Sequence, residues 1–196
     1  MGAARGVPTF LELRRNESRL RECSGMSLDV EALTTIAGFV GRRVLAMEIN
    51  TAAPAVARGA IEVAASPAIV WRVLTEIANW PSWNPDVKSA TLEGPLAPGT
   101  QFRWKAGPGT ITSTLQGVEP PHRIEWTGTT FGIKAIHVYE LEPKDGTTTV
   151  RSAESWDGLL VRLLRRSMRK SVQKALDSGL RHLKIEAERQ AKTATR

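Results

Sequence analysis

The chain has 196 residues, 41% hydrophobic and 24% charged, with a formal net charge of +7 and one cysteine. This is enough chain for one domain with a substantial core plus an appendage, and the composition is that of an ordinary globular protein. The lone Cys23 excludes an intramolecular disulfide and fits a reducing, cytoplasmic setting, and no apolar run reaches bilayer-spanning length.

Residues 1–52 read as an N-terminal extension, and residues 53–192 as the folded domain. Met1 to Arg21 is Arg-rich and without clear periodicity, the pattern of a loosely ordered segment. Ser27 to Glu48 has the spacing of one helix, with Leu33, Ile36, Val40, Val44 and Met47 on a stripe. No compact apolar segment with a small-residue cleavage site follows the basic start, so a signal peptide is not expected. Glu12, Glu17 and Glu22 argue against an organelle transit peptide, and Met26 and Met47 are alternative starts. Thr51 to Pro54 reads as a linker.

From Ala55 the pattern tightens. Val56 to Ala64 alternates as a strand. Ser66-Pro67 opens a helix, with a hydroxyl at the N-cap and proline in the first turn. Ile69, Val70, Val73, Leu74 and Ile77 carry it to about Asn79, and Trp80 to Pro85 breaks it in a short aromatic turn. Six strands follow: Val87–Leu92, Thr100–Lys105, Thr110–Val118, Arg123–Thr129, Ile133–Leu141 and Thr147–Trp156. Gly94-Pro95, Gly107-Pro108-Gly109, Glu119-Pro120-Pro121 and Asp145-Gly146 punctuate them. Leu159 to about Gln190 then reads as one long helix, with Leu160, Leu164, Met168, Val172, Ala175, Leu176 and Leu183 on its apolar stripe.

This order implies an α+β fold, a seven-stranded antiparallel sheet with the long helix covering its apolar face. Ser171, Ala175 and Gly179 leave a small-residue groove along that helix. Such a groove either permits close packing or leaves room for a guest.

The hairpin between Ile136 and Trp156 is the most specific feature. Asp-Gly is a favoured two-residue turn because both positions accept positive φ. Centred there, it pairs Lys144 with Thr147, Leu141 with Val150, Tyr139 with Ser152 and His137 with Glu154. One face then carries Ala135, His137, Tyr139, Leu141, Val150, Ser152, Glu154 and Trp156. The other carries Lys134, Glu140, Arg151 and Ser155 and reads as wet, although Ile136 and Val138 also sit on it, with Glu140 opposite Arg151 as an opposite-charge pair. A three-residue turn with a bulge would separate His137 from Glu154.

Alternation elsewhere turns Phe102, Trp104, Ile111, Ser113, Leu115, Ile124 and Trp126 inward. With His137, Tyr139, Ser152, Glu154 and Trp156 they make an aromatic wall carrying a few polar groups. That is the lining of a small-molecule pocket or, alternatively, a packed core. Trp80, Trp83 and Asn84 either meet ligand or form a hinge with Trp83 plugged into the core. His137 and Glu154 have three readings: Glu154 orients and charges His137 as a general acid/base, the pair anchors a polar group of a ligand, or each only satisfies the other. No nucleophile elbow, glycine-rich phosphate loop or metal-ligand spacing is present, so no cofactor and no metal are expected.

Five segments in order, Ala64–Trp71, Trp80–Pro85, Ile124–Gly128, His137–Pro143 and Glu154–Leu160, resemble the polyketide cyclase/dehydrase and lipid-transport family, part of the START-related, birch-pollen-allergen-like superfamily. The resemblance spans roughly residues 55–190. It implies a helix-grip fold, with the sheet wrapped around the terminal helix and an internal cavity between them. Its members include ligand carriers and aromatase/cyclases, so the expected function is binding or transport of a small hydrophobic molecule such as a lipid, polyketide or quinone. A cyclase or dehydratase using His137 and Glu154 is the alternative. The basic excess lies in residues 159–196, with eleven Lys/Arg against three Asp/Glu. A solvated helix face is the simplest account of it. Contact with an anionic membrane surface is the alternative, and nucleic acid is not an expected partner.

Overall fold

The computed structural model describes residues 47–194. The Arg-rich start and most of the helix expected from Ser27 to Glu48 lie outside them. Seven strands are joined in one antiparallel sheet: β1 (Ala55–Val63), β2 (Val87–Leu92), β3 (Gln101–Ala106), β4 (Gly109–Glu119), β5 (Arg123–Thr130), β6 (Ile133–Lys144) and β7 (Thr147–Asp157). The spatial order is β1-β7-β6-β5-β4-β3-β2. Strands β2 to β7 are thus a simple meander, and β1 closes its far edge against β7. Helix α1 (Pro67–Thr75), a 3₁₀ turn (Ile77–Asn79) and the four-residue α2 (Trp80–Trp83) connect β1 to β2. Pro67 starts α1 as expected, but the Ser66 hydroxyl makes no capping bond.

The β6–β7 register is the expected one, with His137 opposite Glu154 and Tyr139 opposite Ser152. Asp145 and Gly146 both take positive φ, 43° and 81°, as a two-residue hairpin turn requires. The β4–β5 ladder carries a bulge between Leu115 and Gly117. Glycine is needed there because a Cβ would lie 2.7 Å from a Glu125 carboxylate oxygen.

The terminal segment is two helices, α3 (Leu159–Leu163) and α4 (Arg165–Ala194), because Leu164 leaves helical geometry with φ −106° and ψ 31°. Val172, Leu176, Leu180, Leu183 and Ala187 are buried, and Leu176 and Leu180 press onto Gly59 of β1. The expected apolar stripe therefore needs correction at one end. Leu160 and Leu164 are exposed, as are Ser171 and Ala175 of the small-residue groove. Only Gly179 meets the sheet, where a Cβ would sit 3.6 Å from the Tyr139 hydroxyl. Helical spacing sets which residues share a face, but only Val161 and Met168 of this end pack on the core, and Arg165 and Arg169 of the first turns bond the Pro54 carbonyl just before β1.

The outer face buries polar side chains that its pattern leaves wet. Glu125, Val138 and Ser155 are buried there. Residues 47–53 lie across them: the Met47 N–H donates to Glu125 Oε1 at 2.8 Å, and the Asn50 N–H donates to Ser155 Oγ at 3.1 Å. The Arg123 guanidinium donates to Glu125, to Glu140 and to the Met47 carbonyl. Glu140 does stand opposite Arg151 in register, but the two side chains do not pair; Arg151 turns to Glu142 at 3.3 Å. Glu140 stands between two arginines, because register also puts it opposite Arg123. Arg123 is the one already fixed by two further acceptors.

Candidate functional site

The inner face of the sheet carries the chemistry. At its centre Trp80, Phe102, Trp126, His137 and Tyr139 form one continuous ring cluster. Trp80 meets Phe102 and Trp104 edge-on at centroid distances of 5.7 and 5.6 Å. His137 stacks on Tyr139 at 4.6 Å and tilts against Trp126 at 4.7 Å. Edge-on and offset contacts of this kind are the preferred geometry of aromatic groups. Trp80 is therefore plugged into the core, with its indole Nε1 donating to the Leu74 carbonyl at 2.9 Å. The centre of the expected hollow is occupied by these side chains. Phe102 and Trp126 are buried core residues as well.

Polar groups are threaded through this wall. His137 Nε2 and Ser152 Oγ are 2.8 Å apart, and Trp104 Nε1 donates to Ser113 Oγ at 3.1 Å. Glu154 Oε1 accepts from Trp156 Nε1 at 2.7 Å, two residues along the same strand face. His137 Nδ1 and Glu154 Oε2 face one another at 3.7 Å, longer than a hydrogen bond. Register alone puts His137 beside Glu154. The two bonds that fix the neighbouring groups, His137–Ser152 and Trp104–Ser113, are diagonal across the ladder, a signal the alternation pattern contains but does not rank.

Burial sets the charge state. Desolvation lowers His137 from its ordinary 6.5 to about 3. It raises Glu154 from 4.5 to about 7, opposed by the Trp156 hydrogen bond. Tyr139 is pushed upward by desolvation first and by the nearby Glu154 charge second, against a hydrogen bond with Ser152. The histidine is thus a neutral imidazole rather than a group charged by Glu154. The carboxyl is the group that titrates near neutrality.

Next to this polar set the sheet presents small residues. Ser113, Gly128 and Ala135 lie side by side in register, bounded by Phe102 at one end and Trp156 at the other. Trp104, Ile111, Ile133 and Trp156 around them are only half-buried. Over the core here Val161 of α3 is fully buried and Met168 of α4 half-buried, and α4 fully buries no residue before Val172. Trp83 and Asn84 are half-buried at α2, and Trp83 Nε1 is an interior donor for which the structure provides no acceptor. Among the described residues no group of three or more His, Cys, Asp or Glu could hold a metal ion, and no helix is long and apolar enough to cross a membrane.

Residues 54–188 match the family model described as polyketide cyclase / dehydrase and lipid transport. The chain belongs to this family. Solved structures agree on its helix-grip fold. An aromatase/cyclase from Streptomyces sp. R1128 is 16% identical with a TM-score of 0.60, covering 69% of this chain and 94% of that one. A START superfamily protein from Mycobacterium smegmatis is 16% identical with a TM-score of 0.53, covering 71% and 98%. A hypothetical protein from Helicobacter pylori is 13% identical with a TM-score of 0.63, covering 70% and 90%. No curated protein matches the sequence.

Proposed function

We propose that the domain binds, for carriage, one small and largely apolar molecule at the open end of the inner sheet face. The reading rests on one juxtaposition: the small-residue floor of Ser113, Gly128 and Ala135 adjoins the polar set of His137, Ser152, Glu154 and Trp156. Aromatic sides and a flat floor suit an apolar ring system or chain, and a few fixed polar groups suit one hydroxyl or carbonyl. The family's lipid-transport description and its START relative are consistent with this. Trp104 and Trp156 would flank the molecule, and the neutral imidazole and carboxyl would meet its polar end. Trp83 and Asn84 would touch it from α2, while Phe102, Trp126 and Tyr139 would back the site rather than line it. A soluble, cytoplasmic protein fits this role.

A second reading is favoured by one observation. A carboxyl poised at about 7 can both give and take a proton at neutral pH. Glu154 would then be the acid/base of a cyclisation or dehydration, with His137 as a hydrogen-bonding neighbour. The two readings separate experimentally. Native mass spectrometry of gently purified protein should show a co-purified small molecule, lost from Trp104→Ala. Glu154→Gln should keep that mass if the protein is a carrier. If Glu154 is catalytic, the same variant should retain binding and lose turnover by about two to four orders of magnitude. A wild-type protein carrying no added mass and binding no apolar probe would contradict both readings.

A further inference from the structure

Six large hydrophobic side chains are exposed among the described residues, and five gather at one end of the domain. Leu159, Leu160, Leu163 and Leu164 come from α3 and its end, with Leu159 and Leu163 about three-quarters exposed. Phe131, 69% exposed, comes from the β5–β6 turn. The two groups adjoin, because Gly158, just before α3, packs so tightly on Gly132 that a Cβ would lie 2.4 Å from the Gly132 carbonyl oxygen.

Phe131 is costly in this position. Phe131 and Gly132 form a two-residue turn with φ of 46° and 75°, closed by the Thr130–Ile133 pair. Such turns favour Asn or Asp at the first position, and a bulky residue at positive φ is strained. One edge of the ring lies over Gly109 of β4, where a Cβ would sit 2.3 Å from Phe131 Cε2, and the rest is exposed at a turn where a polar residue would fit better. Local strain that presents a side chain to solvent is a feature of working surfaces.

The charge on α3 and the first turns of α4 is all positive, with the Asp157 carboxylate just before them. Between 159 and 170 the chain reads LLVRLLRRSMRK, with Arg162, Arg165, Arg166, Arg169 and Lys170 and no acidic residue. Arg165 and Arg169 donate to the Pro54 carbonyl, and Arg162 pairs with Asp157. Arg166 and Lys170 make no ion pair among the described residues. Leucines and arginines alternating on a short helical stretch are the pattern of a segment lying in a lipid headgroup layer. Apolar side chains enter the acyl boundary and basic ones meet lipid phosphates.

We infer that Phe131, α3 and the first turns of α4 dock the domain on an anionic phospholipid bilayer. Uncovered apolar side chains select a surface with an apolar interior, and the one-signed charge selects anionic headgroups. The docking does not rest on the cargo reading. The patch does lie at the strand ends closest to Glu154 and Trp156, since Asp157 ends β7 and Ile133 begins β6.

The test is co-sedimentation of the full chain with phosphatidylcholine vesicles containing or lacking phosphatidylglycerol, at low and high salt. Binding should require phosphatidylglycerol and weaken with salt. Phe131→Asn with Leu163→Asn should weaken it by about tenfold or more, as should Arg166→Gln with Lys170→Gln. Phe131→Asn suits the turn, and unchanged circular dichroism would show that both double variants fold. Absent wild-type binding, equal binding to neutral vesicles, or undiminished binding by the folded variants would overturn the inference. So would a dimer in sedimentation equilibrium that the Phe131→Asn, Leu163→Asn variant dissolves, since the patch would then belong to a second copy.

Discussion

His137 and Glu154 face each other across β6 and β7, yet neither takes its short hydrogen bond from the other. The imidazole lies 3.7 Å from the carboxylate, while Ser152 holds the histidine at 2.8 Å and Trp156 holds the glutamate at 2.7 Å. Two titratable groups, each with a neutral partner in a desolvated wall, are pushed toward their uncharged forms. The two groups are therefore a pair of uncharged polar side chains rather than a buried ion pair.

The opposed shifts give stability a distinctive pH profile. Glu154 is about 7 when folded and 4.5 ordinarily, so between those values the unfolded chain has lost a proton that the folded one keeps. Its contribution is full below about pH 4.5 and is lost as pH rises through 7. His137 is about 3 when folded and 6.5 ordinarily, so its contribution rises with pH across that window. Between about 4.5 and 6.5 the two slopes oppose, each at most about 1.4 kcal/mol per pH unit. Relative to wild type, Glu154→Gln should gain stability as pH rises from about 4.5 to 7. His137→Gln should lose ground from about 3 to 6.5. Denaturant unfolding across this range checks it, and variant curves parallel to wild type would refute the assigned shifts.

Ser152 is 4% exposed and holds the imidazole. Ser152→Ala should cost about 1–3 kcal/mol, because His137 Nε2 is left buried without a partner. Ser152→Thr, which keeps the hydroxyl, should cost less. Urea midpoints of the two variants decide the point, and equal loss would mean that packing rather than the hydrogen bond matters.

On the outer face, Arg123 neutralises a nearly fully buried Glu125. Arg123→Ala should destabilise by about 3–5 kcal/mol, since removing one member of a buried pair strands the other charge. Replacing both, as Arg123→Leu with Glu125→Leu, should recover part of that loss. If the double variant were no more stable than the single, the stranded carboxylate would not be the cause.

Much of this architecture is legible in the residues, and the gaps have physical causes. Asp145-Gly146 admits one tight turn, and strand alternation then places His137 against Glu154 on the inner face. The cover over Glu125 and Ser155 is not legible, because residues 47–53 have no periodicity to reveal what they lie on. The exposed leucines of α3 share the spacing of the buried stripe, so only the sheet's extent tells them apart. The pattern offers Trp83 as the plug, whereas Trp80 is the fully inserted indole, a choice that shows only when Phe102 and Trp126 are placed around it. The alignment of Ser113, Gly128 and Ala135 across three strands depends on the β4–β6 registers, which hydrophobic patterning does not encode.

The proposed function requires an apolar molecule beside Trp104 and Trp156, at the half-buried end of the inner sheet face. The most direct measurement is the set of tryptophan indole N–H signals in a ¹H–¹⁵N spectrum, titrated with 1-anilinonaphthalene-8-sulfonate and assigned by single Trp→Phe variants. The Trp104 and Trp156 signals should shift and saturate together, while the Trp80 signal, tied to the Leu74 carbonyl inside the core, should move least. Unchanged Trp104 and Trp156 signals at saturating probe, or shifts confined to other indoles, would contradict the account.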